Sequence, residues 1–209
     1  MKTLVIHPDD RSTDFLKTIY EGKGYTVVTD KSILRSESDV RELIGAHDRI
    51  MMMGHGHPGG LFFTCINNRM TDLLREKQGV YIWCNADKFV EKYELQGFYT
   101  GMFISEVGEA RYFRINATQE EIDFSNQLFA SEFRKYEDKE TAHQLIREHY
   151  NSFDSPVIQF NNDRLYDSKF LDLIREERDF TDDLSDDEQQ DFGDDDIDPA
   201  GGHGLHSHI

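Results

Sequence analysis

His55 and His57 stand two residues apart in GHGHPGG (54–60), directly after the apolar run RIMMM, and Cys84 closes the apolar run GVYIWC (79–84). An imidazole can ligate a metal or carry protons, and a thiol becomes a nucleophile once a base takes its proton. Three readings of the turn compete: a metal site, a catalytic histidine, or a tight turn that contains imidazoles. Gly54 and Gly56 suit a backbone that must approach a substrate with no side chain in the way. A second cluster, HPDD (7–10), follows the apolar run TLVI and offers His7, Asp9 and Asp10. Two carboxylates beside an imidazole are metal-ligand types. The simpler reading is that Asp9, Asp10 and Ser12 form a turn and cap the next helix.

These groups can meet only if the elements beneath them bring them together. TLVI (3–6), YTVVT (25–29), DRIMMM (48–53), GVYIWC (79–84) and FYTGMFIS (98–105) read as strands. Helical spacing occupies 12–22, 36–46, 69–77 and 87–95 between them, and 118–150 is helical, with SPVIQF (155–160) as a sixth strand. Short strands alternating with short helices predict an α/β fold, a three-layer sandwich around a mainly parallel sheet. In such sheets ligands bind outside the carboxyl ends of the strands. HPDDRST, GHGHPGG, CNAD and SEVGEA then all fall along one edge.

A His-Gly after one core strand and a Cys at the end of the next resembles the caspase-like clan of cysteine peptidases, which includes caspases, legumains, gingipains, clostripain and separase. The resemblance covers roughly residues 1–115 and implies a caspase-like topology. It implies His55 as general acid/base, Cys84 as nucleophile and Gly56 as part of the oxyanion hole, with a peptide or protein substrate and no cofactor. A thiol normally titrates near 8.5 and needs a nearby histidine or a helix amino end to ionise. Asn85 is expected to cap the helix after Cys84 and make its dipole available. In some members of the clan an acidic group after the cysteine strand selects a basic side chain, a role that falls to Glu106 and Glu109 in SEVGEA. The plainer alternatives are an inert buried cysteine and a pair of acids that begin a helix. Cys65, in LFFTCINN, reads as packing.

HPDD is also similar to the zinc motif of sugar-amide deacetylases. That likeness implies His7 and Asp10 as ligands, Asp9 as base, zinc as cofactor, and His55 or His57 as third ligand. A third class of reading is a non-catalytic caspase-like or Rossmann-like binding module.

Composition narrows the classes. The net charge is −18, but residues 179–198 hold eleven acids and no base, leaving −7 for the rest. No basic run with interleaved aromatics appears, so nucleic-acid binding has no electrostatic footprint. No segment reaches the roughly 18 apolar residues of a membrane helix, and the first residues lack a signal-peptide run. The expectation is a soluble, cytoplasmic protein with free thiols. Residues 1–178 form the predicted domain, and 179–209 a disordered acidic, histidine-containing arm that solubilises or binds a protein partner. DFG (191–193) lacks the companion motifs of a kinase, and His203, His206 and His208 lack preorganisation for a metal.

Overall fold

TLVI is buried at every position, as befits a central strand covered on both faces, and it forms β1 (Thr3–Ile6). A computed structural model of the chain describes residues 1–139 and 141–169. After β1 come a 3-10 helix (Arg11–Leu16), α1 (Lys17–Tyr20), β2 (Thr26–Val28), α2 (Lys31–Arg35), α3 (Glu37–Gly45) and β3 (Arg49–Met53). A two-strand hairpin, β4 (Gly56–His57) and β5 (Gly60–Leu61), leads to α4 (Thr71–Leu74), β6 (Gln78–Ile82), α5 (Ala86–Tyr93) and β7 (Gly97–Thr100). Then follow α6 (Val107–Tyr112), α7 (Gln119–Tyr136), α8 (Ala142–Tyr150), α9 (Pro156–Asn162) and β8 (Leu165–Asp167).

The main sheet runs β2-β1-β3-β6-β7-β8, parallel throughout except for β8, which pairs antiparallel with β7. Side-chain alternation divides the core. Ile50, Met52, Tyr81 and Trp83 face one layer with α3 and α5, while Met51, Met53, Val80 and Ile82 face the other with α1, α7 and α8. The molecule is thus the expected α/β three-layer sandwich. Chain direction from β1 diverges to β2 on one side and, by way of β3, to β6 and β7 on the other, so the switch point lies between β1 and β3.

Three local features differ from, or add to, the expected elements. SPVIQF is helix α9: Ser155 accepts from the N–H of Ile158, Pro156 occupies the first turn, and Val157, Ile158, Asn161 and Asn162 are buried at helical spacing. The sixth strand is the shorter Leu165–Asp167. Second, Asp30 caps an additional helix, α2, by accepting from Ser32 N–H. Third, the strand expected at 98–105 ends at Thr100, where Gly101 N–H turns to the carbonyl of Arg164. The predicted arm at 179–209 lies outside the described residues. Among the described residues no helix is long and apolar enough to cross a membrane.

Candidate functional site at the carboxyl edge of the sheet

In the β3–β6 ladder Met53 pairs with Ile82. Two residues past the end of each strand come His55 and Cys84, and one further bond, from Gly54 N–H to the Ile82 carbonyl (3.0 Å), follows the ladder. Both are partly buried. Together with Thr13, Leu16, Phe103 and Ser105 they line one narrow cleft of about 20 Å³, room for about one water molecule. Gly54 supports this turn with φ +139°, a conformation that favours glycine.

The His55 ring is held by a neighbour that lies across the switch point. Its Nε2 is 2.6 Å from Ser12 Oγ, and that hydroxyl is 2.7 Å from Asp10 Oδ1. Asp10 is the cap of the 3-10 helix and also accepts from Ser12 N–H at 3.1 Å. These two bonds from Ser12 hold the Asp10 carboxyl below its ordinary range. By sequence pattern alone Ser12 is only a turn and capping residue. The signal for its second role would have been its position at a strand-to-helix turn opposite His55, which becomes visible only with the strand order.

Cys84 faces a different set of partners. Its Sγ lies 3.5 Å from the Phe103 carbonyl and 3.8 Å from Glu109 Oε1. Burial, then the Glu109 carboxylate, push the thiol up to about 11, so the resting thiol is protonated at neutral pH. The helix-dipole expectation is corrected here. Asn85 is left-handed (φ 64°) and its side chain makes no cap bond; Nδ2 instead approaches Met102 Sδ at 3.9 Å. The Phe103–Ser105 segment is clamped from behind by Asn161, whose amide accepts from Ile104 N–H (2.7 Å) and donates to Ile104 O (3.1 Å). Asn161 is a positioning residue that the strand reading of 155–160 concealed.

Glu106 and Glu109 form a reciprocal capping box at the start of α6. Glu109 Oε2 accepts from Ser105 N–H, Ser105 Oγ and Glu106 N–H, so this carboxylate is spent on the turn and on Cys84. Glu106 is exposed beside an open groove.

Gly56 opens the β4–β5 hairpin, where it pairs with Leu61. A Cβ at this position would fall 2.3 Å from Cδ1 of Trp83. The indole lies on the opposite layer from Ile82, and its Nε1 donates to the His57 carbonyl at 3.2 Å. Trp83 therefore pins the turn that carries His55. His57 itself is exposed and stacks on Phe62.

The zinc arrangement does not fit the donors present. His7 is 1 % exposed, with Nδ1 2.9 Å from Tyr20 Oη and Nε2 3.0 Å from Thr13 Oγ1. Both ring nitrogens are committed inside the fold, and burial lowers its pKa to about 4. Among the described residues no group of three His, Cys, Asp or Glu is disposed to hold a metal ion. Cys65 is a free thiol whose pKa is raised by burial, and it donates to the Ser36 carbonyl at 3.7 Å.

Comparison of the chain with protein-family models, with curated proteins and with solved structures finds no match.

Proposed function

We propose that the cleft between the ends of β3 and β6 is the active site of a cysteine-dependent amide hydrolase of the caspase-like kind, acting on peptides. The observation that supports this reading is the register of Met53 on Ile82, after which the turns carrying His55 and Cys84, each two residues past the end of its strand, line one cleft. In the proposed reaction the Cys84 proton passes to His55 and the thiolate attacks the substrate carbonyl. The C–N bond then breaks with the His55 proton delivered to the departing amine, and water releases the acyl group. Gly56 would offer its N–H to the oxyanion.

In this reading the described arrangement is a resting one. The thiol is protonated beside Glu109, and His55 is engaged by Ser12. Turning the imidazole from Ser12 toward Cys84 would assemble the dyad.

The test is cleavage of a peptide library by the full chain, with Cys84→Ala and His55→Ala alongside. The expected result is cleavage by the parent and at least a hundredfold loss in each variant. Cleavage that survives Cys84→Ala would remove the thiol from the mechanism. A second reading, a non-catalytic binding module on the same scaffold, is favoured by the raised thiol pKa and the small cleft; no cleavage of any library member would select it.

A further inference from the structure

The cleft that holds His55 and Cys84 is neutral as well as narrow. Phe15, Leu16, Ile82 and Phe103 supply its apolar walls, and among the described residues none that lines it is Asp, Glu, Lys or Arg. Its hydroxyls are already committed: Thr13 Oγ1 donates to the Asp10 carbonyl (3.1 Å), Thr100 Oγ1 to the Trp83 carbonyl (2.9 Å) and Ser105 Oγ to Glu109 Oε2 (3.1 Å). Glu109 touches the thiol through Oε1 but does not line the cleft, and Oε2 serves the turn into α6. A charged side chain entering here would lose its water and meet neither a counterion nor a free polar side chain other than His55 and Cys84.

Size sets a second limit. The cleft of about 20 Å³ has room for about one water molecule. An attacked carbonyl would fill that room by itself, since reacting atoms must come within about 3–3.5 Å of each other. Beside the cleft lies an open groove of about 660 Å³. Phe15, partly buried on the 3-10 helix, lines both spaces, so it stands between the thiol and the larger volume. We infer that the cleft accepts an acyl residue without a side chain, so that the bond cut follows glycine, and that Phe15 sets this limit. The inference rests on the hydrolase reading above and names its substrate class, a peptide with glycine on the acyl side of the scissile bond. That class differs from the basic residue implied by the sequence resemblance, because the cleft offers a cation no carboxylate. Phe15 determines specificity in this account and takes no part in the bond-breaking steps.

The test offers the full-length protein a set of acetylated, amidated peptides that differ only in the residue before the scissile bond: Gly, Ala, Leu, Arg or Asp. The expected result is a kcat/KM for the Gly peptide at least tenfold above Ala and at least a hundredfold above the other three. Phe15→Ala should raise kcat/KM for the Leu peptide at least tenfold while the Gly peptide stays within about threefold. Phe15→Leu, which keeps apolar packing at the rim, should fall between and serves if the alanine variant does not fold. Alkylation of Cys84 by peptidyl chloromethyl ketones ending in Gly or Leu reads the same limit without turnover, and the Gly reagent should react at least tenfold faster. Cleavage after Leu, Arg or Asp as fast as after Gly would overturn the inference and keep the hydrolase. A Gly preference that Phe15→Ala leaves in place would remove Phe15 as its cause. Gly-selective alkylation with no cleavage would keep the size limit and reject the hydrolase, and neither cleavage nor selective alkylation would reject both.

Discussion

Ser12 Oγ stands 2.6 Å from Nε2 of His55, forty-three residues away in the chain, while Ser12 is also bonded to Asp10. On the hydrolase reading proposed above, the imidazole would have to release this bond to turn toward Cys84. Ser12→Ala should free the ring while leaving the residue 12 N–H to the Asp10 cap. Alkylation of Cys84 by iodoacetamide at pH 7.5, followed by peptide mass mapping to separate it from Cys65, should then quicken by about threefold or more. His55→Ala in the same background should erase the gain. An unchanged rate in Ser12→Ala would mean that Ser12 does not restrain His55.

Among the described residues, Glu109 is the one carboxylate hydrogen-bonded to the Cys84 thiol. Glutamine keeps the capping function at this helix position but carries no charge. Glu109→Gln should therefore lower the pH of half-maximal Cys84 alkylation by roughly one unit from about 11. A midpoint that stays in place would show that burial alone sets the thiol.

His7 provides a stability test with a defined sign. Its folded pKa, about 4, lies below the ordinary 6.5, so the unfolded chain takes up the proton first as pH falls. Stability should be at its full value above about pH 6.5, decline on the way down to 4, and lose roughly 3 kcal/mol through this group. His143, lowered to about 4 by burial, adds to the same slope. His7→Gln should lower stability at neutral pH and flatten the decline between pH 6.5 and 4 in urea titrations. A parent chain equally stable at both pH values would contradict the buried neutral histidines.

Gly56→Ala tests the Trp83 pin. The new methyl would fall 2.3 Å from the indole and 2.8 Å from the Gly60 carbonyl oxygen, so the ring and the hairpin must shift, at a cost of about 1–3 kcal/mol. Because Trp83 is the only tryptophan in the chain, its emission should move to longer wavelength as the ring leaves its buried position. Unchanged emission and unchanged stability would show that the turn accommodates a side chain.

Much of the fold is legible in the residue pattern because parallel strands buried on both faces leave unbroken apolar runs such as TLVI and RIMMM, and helices between them keep their own period. The polar clusters after β1, β3, β6 and β7 share an edge for that reason. SPVIQF misled because a short apolar run has no period to read; Ser155 and Pro156 at its start are the helix signals that outweighed its β-branched residues. Site geometry follows a different logic. The sequence determined that His7, Ser12 and His55 follow core strands, since the apolar runs TLVI and RIMMM stop before them, whereas Cys84, expected as the last residue of its strand, lies two residues past the end of β6. Only the tertiary structure decided their partners: His7 inward to Tyr20 and Thr13, Ser12 across the switch point to His55, and Cys84 to Glu109 rather than to a helix dipole. Hydrogen-bond partners separated by tens of residues depend on strand order and register, and the acidity of a thiol depends on what is packed around it.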